Sequence, residues 1–66
     1  MDFNHAFKLL RTGQRIARGE WMGKIAYWEY CQTADSIRQV MPDGTAQCFN
    51  SIRIDDILAD DWYKVT

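Results

Sequence analysis

A chain of 66 residues holds one domain, 1–66, and a domain this small buries only about 60% of the surface its unfolded form exposes, so a disulfide, a metal or a partner chain is expected to help hold it. Two cysteines, Cys31 and Cys48, outside any C-x-x-C pair, together with a lone His5, exclude a structural zinc site and leave association between chains as the simplest support. A net charge of −1 excludes the basic balance of a general nucleic-acid binder.

Along the chain, Phe3, Ala6, Phe7 and Leu10 recur at i, i+3, i+4 and i+7, with Asn4, His5, Lys8 and Arg11 opposite; this spacing predicts an amphipathic helix of about three turns. Asp2 is placed to cap its first turn, and Gly13 is placed to end it in the left-handed conformation. His5 falls on the polar face, where a histidine is a solvated side chain. Arg15-Ile16-Ala17-Arg18 reads as a short strand, and Gly19-Glu20 as a turn that leads into Trp21-Met22-Gly23-Lys24. Ile25 to Cys31 is aromatic and free of breakers, which predicts a second strand. After Gln32–Asp35, Ser36 to Met41 alternates, with Ile37, Gln39 and Met41 on one face and Ser36, Arg38 and Val40 on the other. Pro42-Asp43-Gly44 then predicts a tight turn into a strand over Thr45–Asn50, because proline presets φ, aspartate bonds local backbone and glycine takes positive φ. Ser51–Ile54 has no clear pattern. Asp55–Ala59 reads as one or two helical turns with acids at the favourable N-terminal end, and Trp62–Val65 as a last strand. The class is α+β: an N-terminal helix, then a small antiparallel sheet, with a short helical turn before the last strand and the helical elements on one face.

Charge is unevenly spread. Lys8, Arg11, Arg15, Arg18 and Lys24 supply five of the eight cations, whereas Asp55, Asp56, Asp60 and Asp61 gather near the other end. Solvated faces of opposite sign explain this plainly; a cationic patch that meets phosphates is the sharper alternative. No run approaches the ~18 apolar residues of a membrane helix, and no charged-then-apolar leader is present. The expected setting is the cytosol, with Cys31 and Cys48 reduced and serving as small apolar residues of the sheet.

No catalytic constellation emerges. Nucleophile-elbow, P-loop, dinucleotide and zincin motifs are absent, and neighbouring aspartates on a helix point in different directions. An enzyme, a cofactor or a metal is therefore not expected. Binding chemistry is better represented. Arg18, Trp21 and Lys24 follow one another at intervals of three, so an aromatic face for a purine lies close to cations for phosphate oxygens. The plainer reading makes Trp21 a core anchor and Arg18 an ion-pair partner of the C-terminal acids. Asn50-Ser51, where the chain leaves the sheet, offers either ligand contacts or a helix cap.

Three stretches together resemble a known phage and bacterial family: Phe3-x-x-Ala6-Phe7-x-x-Leu10-x-x-Gly13-x-x-Ile16-Ala17-Arg18-x-x-Trp21-x-Gly23-Lys24, the Pro42-Asp43-Gly44 turn, and Asp56-Ile57-Leu58-Ala59-x-Asp61-Trp62. This pattern is similar to the second type of Thoeris anti-defence protein. Phe7 and Phe49 stand where members of that family often carry Leu and Trp. The resemblance implies a homotetrameric sponge that holds glycocyclic ADP-ribose, made by a TIR-domain defence protein, without degrading it. Some relatives also bind cyclic di- or trinucleotides in separate pockets. Carried onto matching positions, it implies stacking or apolar contact from Trp21 and Met22, phosphate contact from Arg18 and Lys24, and hydrogen bonds to ribose or phosphate from Asn50, Ser51 and Asp61. The rival expectation is a phage-encoded protein-interaction module with no nucleotide ligand.

Overall fold

The computed structural model describes all 66 residues. Helix α1 (Phe3–Arg11) leads into β1 (Arg15–Arg18), a 3₁₀ turn (Gly19–Trp21), β2 (Tyr27–Cys31), β3 (Ser36–Val40), β4 (Ala46–Phe49), helix α2 (Ile54–Leu58) and β5 (Trp62–Val65). The strands form one antiparallel sheet in the order β4-β3-β2-β1-β5. The first four strands make a meander, and α2 carries the chain back across one face so that β5 closes beside β1. This is the α+β arrangement expected from the sequence. The second strand starts two residues later than its aromatic run, at Tyr27, and the fourth trims to Ala46–Phe49.

The ends of the elements follow local chemistry. Asp2 Oδ1 accepts from the backbone N–H of His5 at 2.8 Å, capping α1. Beyond the helix Gly13 sits at φ +94°, a conformation that leaves no clash for glycine and strains any other residue. In the β3–β4 turn, Asp43 Oδ1 accepts from both the backbone N–H and the hydroxyl of Thr45, while Gly44 takes φ +90°. These two hydrogen bonds hold the Asp43 carboxyl below the usual carboxylate range.

Alternation divides the sheet into two faces. Ile16, Trp28, Ile37 and Trp62 point toward α1 and meet Ala6 and Leu10 to form the buried core. All three tryptophans gather here. Trp21, Trp28 and Trp62 lie with ring centroids 5.2–5.4 Å apart, and Phe3 and Phe49 extend the cluster. Each such pair contributes roughly 0.5–1.5 kcal/mol beyond its buried area. The heavy aromatic content is therefore largely spent inside one chain, and Trp62 donates its indole N–H to the carbonyl of Asp56, which pins α2 to the sheet.

The opposite face carries no helix. Its long side chains lie flat on the strands instead: Arg15 sits 4.7 Å from the ring of Tyr27, and Glu29 lies between Arg15 and Arg38. Cys31 is buried on this face, whereas Cys48 is exposed, so only the first behaves as the small apolar sheet residue that both were expected to be; both are free thiols. Arg38 donates to the Cys31 sulfur, and the Thr33 hydroxyl beside it holds that thiol below its ordinary value.

Candidate functional site

The aromatic cluster opens on one side. Trp21 and Trp28 line a cavity of about 430 Å³ together with Ile25 and Gln39, and the charged side chains of Glu20, Lys24, Arg53, Asp55 and Asp56 surround it. Three elements build it. The 3₁₀ turn and the following loop supply Glu20, Trp21 and Lys24, the β2–β3 hairpin supplies Trp28 and Gln39 from paired positions, and the start of α2 supplies Asp55 and Asp56.

Arg18 fixes how these elements meet. It leaves β1 toward α2, and its side chain is only 10% exposed. Its Nε donates to Asp61 Oδ1, one terminal nitrogen to Asp56 Oδ1, and the other to Glu20 Oε2, each at 2.8 Å. The second oxygen of Asp61 accepts from the backbone N–H of Glu20 at 2.8 Å, and its carbonyl accepts from Gly19 at 3.0 Å. One guanidinium and one carboxylate thus join β1, the 3₁₀ turn, α2 and the start of β5. The hydrogen bond from Arg18 holds the Asp61 carboxyl below its ordinary value, and the same bond, outweighing burial, raises Arg18 further above its own. Arg18 therefore stays charged at every accessible pH, and three of its five N–H groups are already engaged.

The remaining cations are freer. Arg53 meets Asp55 at 3.4 Å, but both side chains are more than three-quarters exposed, and such pairs are worth about 0–1 kcal/mol. Lys24 makes no ion pair. An anion entering the cavity therefore meets Lys24 and Arg53 at little cost, whereas drawing Arg18 away would break three charge-assisted bonds.

The positions singled out from the sequence divide as follows. Arg18, Trp21 and Lys24 line this cavity together, and Asp61 stands behind them as the partner of Arg18. Trp21 is both wall and core neighbour, since its ring packs on Trp28 and Trp62. Met22 lies outside the cavity, 86% exposed and held at φ +50°. Asn50 lines a second, smaller cavity of about 270 Å³ with Phe7, Arg11, Tyr30 and Ile52, where the Tyr30 hydroxyl donates to Asp35. Ser51 is exposed and lines neither cavity.

Sequence reasoning missed Trp28, Gln39 and Arg53. The register of the β2–β3 hairpin pairs Trp28 with Gln39, and the alternation of each strand assigns faces without giving that register. Arg53 lies in the stretch without a pattern and gave no signal. Elsewhere, no group of His, Cys, Asp and Glu is arranged to hold a metal ion, and no helix is long and apolar enough to cross a membrane.

The family model of the Thoeris anti-defense 2-like domain matches residues 1–65. No curated protein matches the chain. A match over essentially the whole length, on a fold whose motif residues Arg18, Trp21 and Lys24 meet at one cavity, leads to one conclusion: the chain belongs to the Thoeris anti-defense 2-like domain family, and its role is anti-defence.

Proposed function

We propose that the protein binds and sequesters a cyclic nucleotide immune signal, glycocyclic ADP-ribose, without degrading it, and so blocks a bacterial anti-phage defence from the cytoplasm of the infected host. The observation that carries this reading is the cavity beside Trp21 and Trp28, with Lys24 and Arg53 at its rim. Flat indole surface takes a purine ring, and the two loosely held cations take the phosphates. Glu20 and Asp55 at the rim offer acceptors to ribose hydroxyls. Sequestration needs affinity and no turnover, so a stacking wall with charges around it is sufficient chemistry. Cyclic di- or trinucleotides are further candidate ligands by resemblance, and we propose Asn50, which lines the second cavity, as a contact for one.

A cavity of about 430 Å³ lies near the lower end of ligand pockets and stays open to solvent in one chain. We propose that a homotetramer encloses it. Met22, Ile54 and Leu58 are each at least 70% exposed, which is unusual for apolar side chains around a site on so small a surface. The same exposure is what favours the second reading, a protein-interaction module with no nucleotide ligand. Thermal unfolding separates the two. Glycocyclic ADP-ribose at one hundred times its Kd stabilises a sponge by about 2.7 kcal/mol. An interaction module shows no shift.

A further inference from the structure

Gln39 is the one uncharged polar side chain of the main cavity, and its amide is held in a single orientation. The indole Nε1 of Trp28 donates to Gln39 Oε1 at 3.0 Å. An indole nitrogen can only donate, so its partner must be the oxygen, and the amide nitrogen is forced to the other side. Trp28 is 2% exposed, which makes this bond difficult to give up. The freed Nε2 carries two N–H groups, and its one protein neighbour is the Met41 sulfur at 3.7 Å, a weak acceptor. Gln39 thus lines the cavity beside Trp21 and Trp28 with an amide whose Nε2 is fixed in orientation and has only this weak partner.

We infer that Gln39 is the specificity-determining residue of this site: it admits a planar heterocycle that presents a hydrogen-bond acceptor, a ring nitrogen or a carbonyl oxygen, to Nε2 while the ring lies against Trp21, the partly exposed indole of the wall. A ring stacked over Gln39 would close Nε2 off from solvent. A ring with an acceptor gives Nε2 a hydrogen bond, and a ring without one leaves the donor unpaired, which is how buried polar groups reject close analogues. The charges at the rim do not make this distinction, because phosphates and ribose are common to all nucleotides.

This inference rests on the nucleotide-binding reading of the cavity, and the experiment keeps the two apart. Glycocyclic ADP-ribose is titrated by calorimetry into the wild-type protein, Gln39→Glu and Gln39→Met. Gln39→Glu preserves an acceptor for the Trp28 indole and removes the donor, so it is expected to melt as the wild type does and to bind at least about tenfold more weakly. Gln39→Met is neutral and separates loss of the donor from added charge; it is also expected to bind about tenfold more weakly, and to melt lower because the indole loses its acceptor. If either folded variant binds within about twofold of the wild type, Gln39 only holds Trp28 in place and the specificity role is overturned. If the wild-type protein itself does not bind, the nucleotide reading fails and the role of Gln39 falls with it.

Discussion

Arg18 is where the competing explanations of one residue meet. Its position beside Trp21 suggested a phosphate contact, and its place in the structure is among Asp61, Asp56 and Glu20, each at 2.8 Å. Arg18→Met would strand Asp56 and Asp61 without their cation, and breaking a largely buried pair from one side costs about 3–5 kcal/mol. Exposure of Glu20 and partial exposure of Asp61 place the expected loss at the lower end, about 3 kcal/mol, read from the urea midpoint at pH 7. The pH dependence has a definite sign. Asp61 has its carboxyl lowered from 3.8 by Arg18, so its contribution is fully present above that unfolded-state value and is lost as pH falls through the lower folded value. Wild-type stability should decline below about pH 4, and Arg18→Met should flatten that acid limb. An unchanged limb would mean that the Arg18–Asp61 bond does not set it. Trp21 carries a matching prediction for binding. Trp21→Phe keeps a ring against Trp28 and Trp62, so the fold should persist, while loss of indole surface weakens the ligand. Trp21→Ala should lose roughly 1–3 kcal/mol of stacking, a weakening of about five- to 150-fold in titration.

At the scale of elements, the turn residues and periodicities were legible and the pairings that build the site were only partly so. Phe3, Ala6, Phe7 and Leu10 mark α1 because its two faces differ so sharply, and Pro42-Asp43-Gly44 marks the β3–β4 turn because each residue has a distinct backbone task. Two-residue alternation likewise assigns Gln39 and Trp28 to faces of their strands. What alternation alone does not convey is that the hairpin register sets those two opposite each other, or that α2 returns over them to bring Arg53 and Asp56 to the rim. Such contacts depend on how the chain crosses the sheet, which no local pattern encodes. The loop after β1 shows a further local conflict. Met22 sits at φ +50° with its side chain 86% exposed, where glycine is favoured. The left-handed conformation strains a side-chain-bearing residue by roughly 1–2 kcal/mol, and glycine's greater unfolded-state freedom offsets part of it. Met22→Gly is therefore expected to raise the stability of the single chain by about 0.5–1 kcal/mol in urea unfolding. A fall would show that the methionine side chain makes stabilising contacts, most simply with another copy.

For the whole molecule, a core of six buried side chains and an aromatic cluster hold the fold, while the apolar outer surface of α2 stays open. Ile54 and Leu58 lie four residues apart, hence on the same side of that helix, and are 70% and 78% exposed. A tetramer of 7.8 kDa chains is the assembly we propose to cover them. Light scattering on the eluting protein should report four times the chain mass, and Leu58→Asp should reduce it; a stable monomer would contradict the assembly. Sequestration without turnover is read by calorimetric titration with glycocyclic ADP-ribose, followed by heating the complex and weighing the released ligand by mass spectrometry. A sponge gives saturable heat of binding and returns the ligand with its mass unchanged. No heat, or a hydrolysed ligand, would contradict it.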